Sequence, residues 1–363
     1  MENINCISRL VNFKGGSMEF ITNVLLKDIS YLWMIFFIMI SAGLAKEYSL
    51  FAPAFAYVRN TFRSNRFVVV LLSAIGGVLP IEGRVTVSAG LLDTVAPKCG
   101  HGREKMGIVD YLATHHYYMW SPLEKTVILP IAAFGLTYAT WMGLIAPLLI
   151  VSLAFIAWYI WYQVKEEEIV ITPGNFKISA VMRNVFPMFI AIGAYIYEPK
   201  WMIACFGFLA LYYVFLTQQW SPSKLNSYIK WDVLAVVGAV IMLGNYFKSQ
   251  SGAFEAVIKG SALDPHTFVG MLIISAIGFV ASFFMGSSGK FVAIAVLMAQ
   301  VFGQEYFLWF FALDYTAYLL SPTHKCVMVG NRYFGTPVNT YYKALGSWGA
   351  LMLVTAGILT FAF

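Results

Sequence analysis

The sequence predicts an all-α membrane protein of two inverted-topology repeats, each with a re-entrant hairpin and a broken transmembrane helix, and about 8 crossings in all. Three observations predict it. First, apolar residues make up 60% of the chain and charged residues 12%, against about a quarter charged in a soluble domain. The stretches 29–45, 126–164, 201–223, 265–289 and 344–363 hold no Asp, Glu, Lys or Arg, and several reach the roughly 20 residues a spanning helix needs. Second, the chain repeats itself. Ser73-Ala74-Ile75-Gly76 recurs as Ser275-Ala276-Ile277-Gly278, and Tyr118, Ser121, Pro122, Lys125, Val127, Phe134, Gly135 and Thr140 each recur 200 residues on, from Tyr318 to Thr340. Third, both copies carry Gly- or Pro-containing breaks at corresponding places inside apolar sequence.

Residues 1–28 read as an N-terminal tail without a signal-peptide pattern, because the first apolar run starts only after Asp28 and no small-residue cleavage site follows it. The first repeat spans 29–164. It opens with a helix near 29–46, followed by a polar interfacial stretch. A hairpin over about 66–98 comes next, its short arms interrupted at Leu79-Pro80-Ile81-Glu82-Gly83-Arg84. The broken helix covers about 106–139, and 142–164 forms a further crossing. Glu166, Glu167 and Glu168 mark a solvated linker over 165–179.

The second repeat spans 180–363. Scaffold helices over 180–219 lead to a helix near 231–247 that mates with 29–46. A hairpin over about 266–303 breaks at Met285-Gly286-Ser287-Ser288-Gly289-Lys290. The second broken helix covers about 304–338. With each hairpin counted as no crossing, an odd number of crossings separates the helix near 29–46 from its mate, so the halves are inverted. Lys and Arg concentrate in the loops around 46–66, 98–105, 165–183 and 224–230, which makes that side cytoplasmic and puts both termini outside.

A formal charge of +6 points to nucleic acid only in a soluble chain; here it belongs to cytoplasmic loops. Cys6, Cys99, Cys205 and Cys326 lie far apart with no CxxC spacing, which indicates neither a zinc site nor a disulfide framework. His115 and His116 are adjacent, point to different helix faces and have no third ligand at HExxH spacing.

Ser121-Pro122-Leu123-Glu124 reads as a helix start inside an apolar run, with Ser121 as N-cap, Pro122 at the first helical position and Glu124 completing a capping box. Ser321, Pro322, Thr323 and His324 form its counterpart. The amides of a helix that begins within the membrane make an anion site without a charged side chain. Glu124 also reads as a proton carrier, intramembrane carboxylates being costly and commonly functional. Arg84, Lys125, Lys290 and Lys325 each lie beside a break, with a basic mate in the other half. They read either as contacts for an anionic substrate or as buried partners of Glu82, Asp93, Glu124 and Asp314. Gly286, Ser287, Ser288 and Gly289 offer hydroxyls and close backbone for a carboxylate or Na⁺.

These segments, Pro80-Ile81-Glu82-Gly83-Arg84, Tyr111 through Lys125 and Ser321-Pro322-Thr323-His324, resemble an uncharacterised prokaryotic integral-membrane family, DUF401, within the ion transporter superfamily, over roughly 29–362. The resemblance implies an elevator-type fold in the cytoplasmic membrane: hairpins and broken helices move as a transport domain against a scaffold that dimerises. It implies substrate and ion sites at the hairpin tips, 82–84 and 286–290, and at the breaks, 121–124 and 321–324. By analogy with 180–219 before the second half, two more scaffold helices are expected before residue 29; either the scaffold is reduced or the reading frame is incomplete. The leading expectation is a carrier of a small anion, a carboxylate, coupled to Na⁺ or H⁺, with no other cofactor. One rival is a cation/proton antiporter using Asp93, Glu124 or Asp314. An intramembrane enzyme using His115 or Glu124 is remote, because an enzyme has no need of a duplicated, mirrored break.

Overall fold

The computed structural model describes residues 29–77, 84–165, 169, 175–249, 263–285 and 288–362. Among these the secondary structure is helical, with no strand. The α-helices are α1 (Ser30–Glu47), α2 (Ala52–Thr61), α3 (Asn65–Gly77), α4 (Arg84–Asp93), α5 (His101–His115), α6 (Tyr117–Trp120), α7 (Lys125–Phe134), α8 (Tyr138–Gln163), α9 (Ile178–Tyr197), α10 (Met202–Thr217), α11 (Pro222–Ser227), α12 (Trp231–Ser249), α13 (Phe268–Met285), α14 (Ser288–Phe302), α15 (Phe307–Leu320), α16 (Lys325–Phe334) and α17 (Val338–Phe361).

Among the described residues, six helical segments are long and apolar enough to cross a bilayer: Ser30–Glu47, Tyr138–Gln163, Ile178–Tyr197, Pro199–Thr217, Phe268–Met285 and Val338–Phe361. Five of these coincide with crossings expected from the sequence. The sixth, α13, was expected as a hairpin arm; its 18 residues are enough to span, so length alone does not mark it as re-entrant. The expected crossing near 231–247 has a shorter apolar part, Trp231–Leu243.

Burial is arranged as lipid requires. Exposed large side chains on α9 include Met182, Phe186, Phe189 and Ile190, and on α13 they include Phe268, Leu272, Ile277 and Phe284. A bilayer solvates such side chains as water cannot. Around 158–162 and 212–220, Trp158, Trp161, Tyr162 and Trp220 are exposed, as aromatic side chains at membrane interfaces are, whereas Tyr159 and Tyr213 are buried.

The two interrupted helices lie innermost. Every residue from Met106 to His115 in α5 and from Thr126 to Ala133 in α7 is buried, as are all of Phe307 to Leu319 in α15 except Trp309. Around them, α3 and α4 pack on each other and on α5, while α13 and α14 pack on each other and on α15. The second arm of each pair also reaches the other half: α4 packs on α16, and α14 packs on α7. A second group forms where α1 packs on α10 and α12, α10 on α9, and α9 on α2; it joins the first where α12 packs on α14 and α7 and where α2 packs on α3.

The match between halves extends to backbone torsions. Gly135 ends α7 at φ 66 ψ 35, and Gly335 ends α16 at φ 67 ψ 16, the left-handed conformation that glycine adopts without a Cβ clash. Each is followed after a short linker by a long helix, α8 or α17. Thr137 caps the first, its Oγ1 accepting from the Thr140 amide at 3.1 Å. Pro337 holds the equivalent place in the second.

Candidate functional site

The site grows from the two proline breaks. A residue that precedes proline is pushed into extended backbone, which stops a helix. Ser121 (φ −67, ψ 121) ends α6, and Ser321 (φ −62, ψ 129) ends α15. Each break is a tight turn. The Glu124 amide donates to the Ser121 carbonyl at 2.9 Å, and the His324 amide donates to the Ser321 carbonyl at 3.1 Å. The serine hydroxyls accept from the Leu123 amide at 3.4 Å and the Thr323 amide at 3.2 Å.

This corrects the expected capping box. Helices restart at Lys125 and Lys325, not at the prolines, so Ser121 is a C-cap, and Glu124 and His324 occupy the N-cap positions without a side-chain cap bond. The reason is the i to i+3 turn closed by the Ser carbonyl, which uses Pro122 and Pro322 as turn residues, the second role proline's fixed φ suits.

Ending a helix in the protein interior leaves carbonyls without partners, and side chains supply them. Thr126 Oγ1 donates to the Tyr118 carbonyl at 2.7 Å, Trp141 Nε1 to the Met119 carbonyl at 2.8 Å, and the Tyr138 hydroxyl to the Trp120 carbonyl at 2.6 Å. In the second half, the carbonyl of Tyr318 instead accepts from His324 Nδ1 at 3.0 Å.

The breaks meet. Tyr118 and Tyr318, repeat mates lying just before their serines, join hydroxyl to hydroxyl at 3.1 Å. His324 Nε2 lies 3.2 Å from Nε2 of His115, and its ring is within 2.7 Å of the Tyr111 hydroxyl. His115 stacks on Tyr111, with ring centroids 3.6 Å apart and an interplanar angle of 7°, and the Tyr315 hydroxyl donates to the His115 carbonyl at 2.9 Å. His115, His324, Tyr111, Tyr118, Tyr315 and Tyr318 are all buried. Potential ligand atoms of His115, His324 and Cys326 lie within 4.8 Å of one another. His116 faces elsewhere, accepting from Trp120 Nε1 at 2.8 Å.

Two buried carboxylates flank this centre. Asp110 on α5 accepts from Ser73 Oγ of α3 at 2.7 Å, with Ser88 of α4 within reach. Asp314 on α15 faces α13, with Ser282 within reach and Gly278 leaving space for the carboxyl group. The two acids differ in register by one helical turn relative to their breaks. Asp110 is bonded by a hydroxyl of α3, whereas among the described residues neither the Asp314 carboxyl oxygens nor Ser282 Oγ makes a hydrogen bond.

Of the residues expected at the site, Ser121, Glu124, Ser321 and His324 are buried, Lys125 is partly buried, and Pro122 is buried where Pro322 and Thr323 are exposed. Glu82, Gly83, Gly286 and Ser287 fall outside the described residues. Arg84, Ser288, Gly289, Lys290 and Lys325 are helical in backbone; the first four begin α4 and α14. Asp93, the acid named for an antiporter, does not enter the interior: it is paired with Arg103 at 2.5 Å and is 42% exposed. Sequence reasoning missed Asp110, Tyr111 and the tyrosine pair as site residues, although Tyr118 and Tyr318 stood in the repeat.

The sequence profile of a family described as protein of unknown function, DUF401, matches residues 8–361. The chain belongs to that family. No curated protein matches it. Membership therefore spans nearly all the chain, including both breaks, Asp110 and Asp314.

Proposed function

We propose that the chain is a secondary active transporter of the ion transporter superfamily, working by an elevator-type alternating-access mechanism in the cytoplasmic membrane. One observation carries the reading. Two helices break at Ser-Pro turns of near-equal backbone geometry, and the broken ends meet through Tyr118–Tyr318 and His115–His324 in a buried polar centre. Such polar interior, enclosed by helices with lipid-facing apolar side chains, is costly and is retained where ions or solutes pass.

The substrate in this reading is a small anion, a carboxylate, held by the first amides of the helices that start at Lys125 and Lys325, with Lys125 beside it. The coupling ion is Na⁺ or H⁺. Asp110 and Asp314, each beside a serine hydroxyl, support that part and also favour a second reading, cation/proton antiport without an organic substrate. Inverted repeats, re-entrant hairpin tips, external termini and a dimeric scaffold of α1, α2, α9, α10 and α12 complete the proposal.

A thermal-shift screen of the purified protein against mono- and dicarboxylates, in Na⁺ and in choline, tests it. Stabilisation by at least one acid, deeper in one cation medium or at one pH, is expected. Stabilisation by no anion, together with pH-gradient-driven Na⁺ flux in vesicles, would overturn the anion reading in favour of antiport.

A further inference from the structure

Two buried histidines from the two halves meet at their ring nitrogens. His115 Nδ1 lies 2.8 Å from the Tyr111 carbonyl and 3.0 Å from Thr114 Oγ1, and His324 Nδ1 lies 3.0 Å from the Tyr318 carbonyl and 2.7 Å from the Tyr111 hydroxyl. Each Nδ1 therefore has a carbonyl that can accept its proton. The two Nε2 atoms lie 3.2 Å apart, and in the tautomers protonated at Nδ1 both offer a lone pair to one cation.

We infer that His115 Nε2, His324 Nε2 and Cys326 Sγ form a binding site for a thiol-seeking transition-metal cation such as Zn²⁺. Three features of this cluster fit. Two ligands at the roughly 2.0–2.1 Å of zinc–imidazole bonds, set at a near-tetrahedral angle, lie about 3.3 Å apart, close to the spacing of the two Nε2 atoms. Metal-ligating histidines characteristically donate their other ring N–H to a carbonyl or carboxylate, and here each Nδ1 has a carbonyl within reach. A third soft donor, Cys326 in the first turn of α16, has its ligand atom within 4.8 Å of the histidines', a spread that a side-chain shift of about 1 Å closes to zinc bond lengths, and thiolate with imidazole selects zinc-like ions over Na⁺, Mg²⁺ or Ca²⁺.

The ligand set also crosses the halves: His115 ends α5 of the first, while His324 and Cys326 open α16 of the second. A bound ion would tie the two breaks together. It replaces a thiol proton, released to solvent as the thiolate forms. The ligands share the start of α16 with the anion site of the proposed function, but metal binding and carboxylate binding are read by separate measurements.

The test uses the full-length protein in detergent, stripped with chelator and titrated with Co²⁺, then with Zn²⁺ in competition. About one Co²⁺ per chain in a tetrahedral visible spectrum with a near-ultraviolet thiolate charge-transfer band is the expected result. Cys326→Ser should remove the charge-transfer band. His115→Gln and His324→Gln should each weaken binding by at least the about 10–100-fold that loss of an outer-shell partner costs. Cys99→Ser should leave the spectrum unchanged, and size-exclusion profiles report folding of every variant. The inference fails if stripped wild-type protein binds no Co²⁺, in which case the pair shares a proton instead. It fails equally if Co²⁺ binds but Cys326→Ser keeps the band, which would put the metal elsewhere. Failure here leaves the carboxylate screen untouched, and the reverse holds.

Discussion

Alanine at Gly330 would set a methyl carbon 1.8 Å from the Tyr341 hydroxyl oxygen, 2.9 Å from Cζ of that ring and 3.7 Å from Gly107 Cα. Gly107 sits in α5 and Gly330 in α16, so this wedge holds the first half against the second. Non-bonded atoms settle at about 3.5–4.0 Å, which asks the ring to retreat by more than about 1 Å. Tyr341 is fully buried, so its ring can shift only by displacing close-packed neighbours. Overpacking of this kind costs about 1–3 kcal/mol, and the contact is severe enough for the upper part of that range. Removing a helical glycine returns about 0.8–1.0 kcal/mol. Gly330→Ala should therefore destabilise by about 1–2 kcal/mol, with the double variant Gly330→Ala/Tyr341→Phe regaining about 1 kcal/mol because the atom at 1.8 Å is gone. Thermal unfolding in a fixed detergent, followed by tryptophan fluorescence, reads the four corners of the cycle. A Gly330→Ala variant as stable as wild type, with no coupling to Tyr341→Phe, would refute the close crossing of α5 and α16.

Further outcomes follow from the paired breaks. Gly135→Ala and Gly335→Ala meet open space but force a left-handed backbone, so each should cost about 1–2 kcal/mol, and nearly equal losses in unfolding assays are expected of true structural mates. Tyr118→Phe or Tyr318→Phe should each cost about 0.5–1.5 kcal/mol, and the double variant should lose less than the two single losses combined; strict additivity would mean the hydroxyls do not meet. Asp314→Asn should abolish the dependence of anion binding on Na⁺ or pH while leaving the protein folded, measured by the carboxylate thermal shift in both media. An unchanged ion dependence would remove Asp314 from the coupling site.

Composition and repetition made much of the fold legible. Lipid imposes one requirement on every spanning segment, an uncharged run long enough to cross, and 29–45, 201–223 and 344–363 met it openly. Repeated Ser-Pro and Phe-Gly pairs located both breaks to the residue, because extended backbone before proline and left-handed glycine are local demands. The turn itself was misread. Ser121-x-x-Glu124 has the pattern of a capping box, and only the closure of Ser121 carbonyl on the Glu124 amide shows that the helix waits until Lys125.

The centre was less legible, for a physical reason. His115 and His324 lie 209 residues apart and belong to unmatched positions of the two halves, so neither local spacing nor the repeat relates them. Their meeting depends on α5 crossing α16. Helices buried on all sides carry no amphipathic stripe, which hid Asp110 and Tyr111 among their apolar neighbours. Asp93 misled in the opposite sense, since an acid closing an apolar arm reads as intramembrane until Arg103 is found beside it.

The most direct test of transport itself is current across a solid-supported membrane bearing reconstituted proteoliposomes, challenged with small carboxylates under an imposed Na⁺ or pH gradient. A saturable, gradient-dependent signal for at least one acid is expected, reduced in Ser121→Ala and Ser321→Ala alike because the two breaks form one site. No signal for any acid, or a signal lost in one serine variant and intact in the other, would contradict a shared carrier centre.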